Sequence, residues 1–352
     1  MNTAHNIYIH VPYCIAKCRY CAFFSHACRT PDWDTYTSGI IAEIDTWHAR
    51  LGRIRVPTVF FGGGTPSLMP TLHFARIMDA LRKNFDLAPD AEITAEANPG
   101  TIDEAKLREF VAAGITRLSI GVQSLNDDEL RYLGRIHSAR DALQLMDAAQ
   151  KMPIRVSADF IYALPGWETE NVKKLCRQIN ELGLKHCSLY ELTIEDGTPL
   201  SQENPKMPDN DAMADMYCAI EDHLALPRYE VSNHAAPGFE CAHNMNVWDG
   251  AAYIGLGDGA AGRVFINDTW YEQRGGPHGT LSPISNTDRA TEKIITGLRT
   301  RRGVCIDKTI ENILNTEYVN SNPDLVRISD NRMTATPRGI LILDDLLVNL
   351  IR

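Results

Sequence analysis

Apolar and polar positions alternate in two registers along the first two-thirds of the chain. Short runs rich in β-branched and aromatic residues read as strands: IYIHVP (7–12), TVFFGGG (58–64), EITAEANP (92–99), RLSIGVQS (117–124), RVSADFIYALPG (155–166) and HCSLYELTI (186–194). Between them the period becomes helical. Tyr36, Ile40, Ile44 and Trp47 form one apolar face behind a Thr30-Pro31 start signal. Thr101 and Glu104 have capping-box spacing ahead of Leu107, Phe110 and Val111, and Gly114 ends that helix. Val172, Leu175, Cys176, Ile179 and Leu182 make another stripe, stopped by Gly183.

Six strand–helix units in succession predict an α/β fold with a parallel sheet, either doubly wound or a full or partial barrel. Beyond about residue 200 the alternation fades, and 229–262 reads as loops with short strands. The last sixty or so residues predict a smaller, mainly helical unit. In it Ile294, Ile295 and Leu298 share one helix, and a final helix opens at Thr336-Pro337 and carries Ile340, Leu343, Leu346, Leu347 and Leu350. RISDNRMTATP between them suits a turn with short strands, as in a winged helix.

A length of 352 residues suits one large domain and a smaller one, and a net charge of −10 argues against a nucleic-acid partner. There is no export signal and no membrane-length apolar run, so nine cysteines point to a reducing compartment and a cytoplasmic location.

Three of those cysteines, Cys14, Cys18 and Cys21, fall at C-x3-C-x2-C in IYIHVPYCIAKCRYCAFFSH. Three thiolates leave a metal centre one protein ligand short. Structural zinc takes four ligands, so a zinc site would need His10, His26 or Cys28 to complete it. A [4Fe–4S] cluster on three cysteines instead keeps one iron open, where S-adenosylmethionine (SAM) can chelate through its amino and carboxylate groups. An electron from the cluster then splits the sulfonium bond and releases a 5'-deoxyadenosyl radical. Tyr8, Tyr13, Tyr20, Phe23 and Phe24 surround the thiols with bulky side chains.

FFGGGTPS (60–67) ends the second strand with glycines that allow close backbone approach, without the lysine of a phosphate loop. Glu96 and Asn98 end the third strand, Gln123 and Ser124 the fourth, and Asp159 lies in the fifth. In a parallel β/α barrel such groups converge on the ligand face.

These residues resemble the radical SAM superfamily, and within it the HemN/HemW group. YIHVPYCIAKCRYC, GGGTPS, EANP, GVQS, LGRIH, ALPG, SLYELTIEDGTPL and YEVSNHAAPGFECAHN follow the group's order over nearly the whole chain. The resemblance implies an incomplete, TIM-like (β/α)6 barrel over residues 1–238, with its cluster loop at 14–21, and a HemW/HemN-type C-terminal region over 239–352. It implies cluster ligation by Cys14, Cys18 and Cys21 and SAM contacts from Tyr8, Gly63 and Glu96. Gly64, Thr65, Gln123, Arg135 and Asp159 match an adjacent pocket where some members hold a second SAM.

Two tasks compete within the group. Oxygen-independent coproporphyrinogen III oxidases decarboxylate two propionates to give protoporphyrinogen IX, and carry an extension before the cluster loop. HemW-type heme chaperones begin just before the loop, as Cys14 does here, and have H-N-x-x-Y-W after the barrel. This chain has HNMNVW, with Val247 in place of the tyrosine and His243 as a candidate heme ligand. Arg19 and Ala22 replace a frequent proline and aspartate.

The expectation is a SAM-binding [4Fe–4S] protein that carries heme, or a porphyrin, to acceptor proteins; the alternative is a coproporphyrinogen oxidase or another porphyrin-modifying radical SAM enzyme. Its partners would be those acceptors, respiratory and in some cases membrane-associated, and an electron donor for the cluster. Cys176 and Cys187 read as packing residues, whereas Cys241, two positions before His243, does not. Arg263, Arg299, Arg301 and Arg302 are candidate propionate partners.

Overall fold

The computed structural model describes residues 3–276 and 278–352. Among them, twelve strands form one sheet. They are β1 (His5–Val11), β2 (Arg55–Gly63), β3 (Asp86–Ala97), β4 (Arg117–Gln123), β5 (Arg155–Tyr162), β6 (His186–Glu191), β7 (Arg228–Glu230), β8 (Asn233–Ala235), β9 (Ala252–Leu256), β10 (Ala261–Ile266), β11 (Thr269–Arg274) and β12 (Leu281–Ile284). The spatial order is β12-β11-β10-β9-β1-β2-β3-β4-β5-β6-β8-β7. From β9 to β6 every neighbouring pair is parallel, and both flanks turn antiparallel.

All six strand-like runs are strands, laid side by side in chain order. Their continuous burial, with Ile7, Ile9, Val59, Phe61, Leu118, Ile120, Ala158 and Phe160 inaccessible to solvent, is what a sheet covered by crossover helices requires. The seventh parallel strand, β9, lies in the stretch expected to be mostly loop. Gly255 and Gly257 obscure it, yet Gly255 sits where a Cβ would come 2.4 Å from the Ala261 carbonyl oxygen, so only glycine permits that strand contact.

Helix starts differ from their sequence signals by small amounts with clear causes. The first long helix runs Trp33–Leu51, because the Asp32 carboxylate, not Thr30, accepts the Thr35 N–H at 3.0 Å. The third runs Glu104–Ala113 behind Asp103, which accepts from the Lys106 N–H. Thr101 instead donates to the Asn98 carbonyl. The Thr169–Glu181 helix buries Val172, Leu175, Cys176 and Ile179 on the expected stripe.

Residues 290–350 build a second hydrophobic core around Ile294, Leu298, Ile310, Met333 and Leu346. There the strands Val326–Ser329 and Arg332–Ala335 form a hairpin, with Asp330 and Asn331 at positive φ of 49° and 59°, as a two-residue turn demands. The closing helical stretch is two pieces, Pro337–Leu341 and Leu343–Leu350, broken at Ile342.

Candidate functional site

Side chains on the inner face of the parallel strands line two cavities that share a wall. The upper, of about 460 Å³, lies at the carboxyl ends of the strands, and the lower, of about 400 Å³, lies nearer their starts. Strand order makes this visible: Arg117 of β4 and His186 of β6 line the lower cavity, while Gly121, Gln123 and Leu192 further along line the upper. Glu96, Ser119, Asp159 and Tyr190 border both.

Cys14, Cys18 and Cys21 all face the upper cavity, together with Gly63, Gly64, Thr65, Glu96, Gln123, Arg135 and Asp159. A polar chain ties two of the thiols to the sheet. Arg135 Nη1 donates to Cys18 Sγ at 3.3 Å, and its Nη2 donates to Asn98 Oδ1 at 2.5 Å and the Gly121 carbonyl at 2.8 Å. Asn98 Nδ2 donates to Thr65 Oγ1 at 2.9 Å, and that hydroxyl donates to Cys14 Sγ at 3.5 Å. Asn98 is thus the hinge of this network, a role its place at a strand end only hinted at. Burial raises the Cys21 thiol above its ordinary pKa, and the nearby Cys18 and Cys14 add to the rise.

The glycines at the end of β2 bring it against the end of β1 and Tyr13, just before the three cysteines. Gly63 has φ +111°, and a Cβ there would run into the His10 ring. A Cβ on Gly64 would lie 2.7 Å from the Tyr13 carbonyl oxygen, and its N–H donates to the Val11 carbonyl at 2.7 Å. Gln123 also holds a positive φ, 66°, where the β4–β5 register slips, and this strained backbone faces the cavity.

Two carboxyls mark the shared wall. Glu96 Oε2 accepts the Gly63 N–H at 3.1 Å, and Asp159 accepts hydroxyls of Ser119 at 2.9 Å and Ser188 at 2.8 Å. Loss of water and then the Asp159 charge push the Glu96 carboxyl up to about 8.

His243 and Tyr8 line the lower cavity. His243 belongs to a short helix, Ala242–Trp248, that packs on β1 and β2. Its N–H donates to Glu92 at 3.0 Å, its Nδ1 is bonded to the Thr58 hydroxyl at 2.8 Å, and its ring lies 5.1 Å from that of Phe60. Burial pushes the imidazole down to about 3, so it is neutral near pH 7. Cys241 is also buried here and shares the Glu92 carboxylate. Cys176 and Cys187 are buried among apolar neighbours.

Of the residues that would complete a zinc site, His10 is engaged elsewhere and His26 and Cys28 lie apart. Both His10 nitrogens are bonded, to Tyr8 Oη at 2.9 Å and the Phe24 carbonyl at 2.7 Å. His26 and Cys28 do not line the upper cavity. Among the described residues no group of three or more His, Cys, Asp or Glu side chains converges on a single metal ion; Cys14, Cys18 and Cys21 share a cavity lining rather than one point. The arginines set aside for propionates pair within the chain: Arg263 with Glu292, Arg299 with Glu230, Arg301 with Glu221 and Arg302 with Asp249.

Residues 8–228 match the family model described as the radical SAM superfamily. The chain belongs to that superfamily. Among its radical SAM relatives, "Radical S-adenosyl methionine domain-containing protein 1, mitochondrial" of Danio rerio is 39% identical over 306 residues, which is 83% of this chain and 69% of the relative. "Heme chaperone HemW" of Escherichia coli (strain K12) is 38% identical over 270 residues, 75% of this chain and 71% of the relative. The solved coproporphyrinogen III oxidase (HemN) of Escherichia coli superimposes with a TM-score of 0.82 over 99% of this chain and 90% of that one, at 20% identity. That match shows a shared fold.

Radical SAM membership implies a [4Fe–4S] cluster and SAM. The upper cavity fits them: it is lined by three thiols and a glycine-rich strand end, and Arg135 donates to one of the sulfurs.

Proposed function

We propose that this chain binds heme and delivers it to acceptor proteins, as a heme chaperone of the HemW type. The observation that supports it most is its 38% identity to a relative bearing that name over three-quarters of the chain. The lower cavity agrees with it, since His243 keeps a neutral imidazole there whose Nε2 has no hydrogen bond among the described residues. Neutral imidazole nitrogen is the form that ligates iron.

In this reading Cys14, Cys18 and Cys21 hold the cluster, and Gly63 and Glu96 contact SAM beside it, whereas Tyr8, expected as a third SAM contact, faces the lower cavity. Gly64, Thr65, Gln123, Arg135 and Asp159 line the neighbouring pocket, and His243 meets heme. A bound cluster and SAM supply one-electron cleavage of a sulfonium bond. The chain's own groups position and shield: the Arg135–Asn98–Thr65 network fixes two thiols, and Glu96 presents a carboxyl that can hold or release a proton near neutral pH.

The proposal includes the organisation of the chain. Residues 1–238 form the radical SAM core as an incomplete (β/α)6 barrel from β1 to β6, and 239–352 form the C-terminal region, ending in a winged-helix-like unit. The acceptors are respiratory proteins, some at the membrane, and a separate protein supplies the cluster's electrons. The chain works in the cytoplasm; no helix among the described residues is long and apolar enough to cross a membrane.

A second reading, coproporphyrinogen oxidation, is favoured by the end-to-end fold match to HemN. One experiment separates them. Anaerobically reconstituted protein is given SAM, reductant and coproporphyrinogen III and read by mass spectrometry, and in parallel is loaded with hemin and mixed with a heme-free acceptor. Hemin transfer without decarboxylation is the expected result. Loss of two carboxyl groups, abolished by Cys18→Ser, would replace the chaperone with an oxidase.

A further inference from the structure

The lower cavity contains a buried cation that no carboxylate among the described residues contacts directly. Arg117, at the start of β4, is 2% exposed, and Nη1 donates to the Phe239 carbonyl at 3.2 Å. Among the described residues it makes no ion pair. Asp159 acts on it electrostatically but makes no direct hydrogen bond to it, its two oxygens each accepting a serine hydroxyl. A buried charge without a partner is destabilising, and arginine, which cannot shed its proton, cannot relieve it by titration.

The other polar groups around it are largely committed. His186 is bonded through both nitrogens, to the Ser157 hydroxyl at 2.6 Å and Tyr229 Oη at 2.8 Å. Asn233 accepts from Ser188 and donates to Glu230. Phe60, Val247, Trp248 and Tyr253 add broad, largely apolar side chains to the same lining. A cavity of about 400 Å³ with one unspent guanidinium and aromatic walls suits one kind of guest.

We propose that the lower cavity binds the carboxylate edge of a flat apolar ligand, anchored by Arg117. The identity of that ligand rests on the heme reading above, under which the carboxylate is a heme propionate. The shared wall of Glu96, Ser119, Asp159 and Tyr190 then sets the bound edge directly beneath the SAM cavity. Arg117 is thereby a specificity residue, selecting ligands that carry a free carboxylate.

The test titrates the full-length protein with hemin and with hemin dimethyl ester, which lacks free carboxylates, following the heme absorbance. Wild type binds hemin about 10- to 100-fold more tightly than the ester, the range for a charge-assisted hydrogen bond. Arg117→Met erases that preference by weakening hemin alone. Equal affinity of the wild type for the two compounds overturns the inference while leaving heme binding intact. So does a preference that survives in Arg117→Met. Binding of neither compound removes the heme reading and this inference with it. Should Arg117→Met fail to fold, Val247→Trp fills the cavity that Val247 lines and is expected to abolish the preference; wild-type behaviour of that variant overturns the proposal.

Discussion

The two cavities lie on one sheet and share four wall residues, yet they are built from different material. The upper is lined largely by loops at strand ends, and its groups arrive as compact motifs: the Cys14–Cys21 loop, Gly63 to Pro66, Glu96 to Asn98. The lower is assembled from single side chains on β1 to β6, on β8 to β10 and on the Ala242–Trp248 helix, far apart in the chain. Loops hold chemistry that strands only position. The difference predicts that the cavities respond separately to substitution: damage to the upper abolishes the cluster, and damage to the lower changes ligand affinity.

The largest effect is expected from Cys18→Ser. Removing one of three thiolates leaves too few ligands for a cluster, so iron and sulfide content should fall to background while the folded far-ultraviolet spectrum persists. Hemin affinity should stay within about twofold of wild type, because Cys18 lines the upper cavity and not the lower. A parallel loss of hemin affinity would show that the cavities act as one site. Intact iron and sulfide would instead remove Cys18 from the ligand set.

His243→Ala is the converse case and is expected to be smaller. Cluster content should be unchanged, while hemin binding weakens about tenfold or more and its absorbance band moves as an axial nitrogen is lost. An unchanged spectrum and affinity would make His243 a packing residue held by Thr58 and Glu92.

This contrast also explains what could be read from the residues alone. The six parallel strands followed from six apolar runs, because five of them ended at a glycine, proline or serine and helical stripes separated them; their order was left between a doubly wound sheet and a barrel. The cluster loop followed from spacing, since all three thiols lie within eight positions. Arg117 gave no signal, because a lone arginine opening a strand looks like a surface charge; its burial depends on Phe239, more than a hundred positions away. β9 was hidden by Gly255 and Gly257, which serve close backbone contact there. The link from Asn98 to two cysteines needs three strands and a loop in place.

The shared wall supplies a pH test of intermediate size. The Glu96 carboxyl is pushed up to about 8 in the folded chain, against 4.5 ordinarily. The folded state therefore holds a proton that the unfolded state releases at lower pH. The resulting stability is complete below about 4.5 and is lost as pH rises through about 8. Melting of cofactor-free protein should show wild type falling relative to Glu96→Gln across that window, with the gap widest at its alkaline end. A constant gap would place an ionised Glu96 in the folded protein at neutral pH.

The smallest expected effect concerns Arg135, whose Nη1 lies 3.3 Å from Cys18 Sγ. If Cys18 ligates the cluster, a cationic donor on that sulfur favours the more negative, reduced state, because it offsets the added electron. Arg135→Met should then lower the midpoint potential of SAM-free protein by about 60 mV, a tenfold change for one electron. Arg135→Lys keeps the charge but not the fork that also grips Asn98 and Gly121, and should fall between the two. A redox titration followed by electron paramagnetic resonance reads this without turnover. An unchanged potential in Arg135→Met, with full iron content, would mean that the arginine only braces the loop, and that the upper cavity sets the position of its sulfurs but not their electronics.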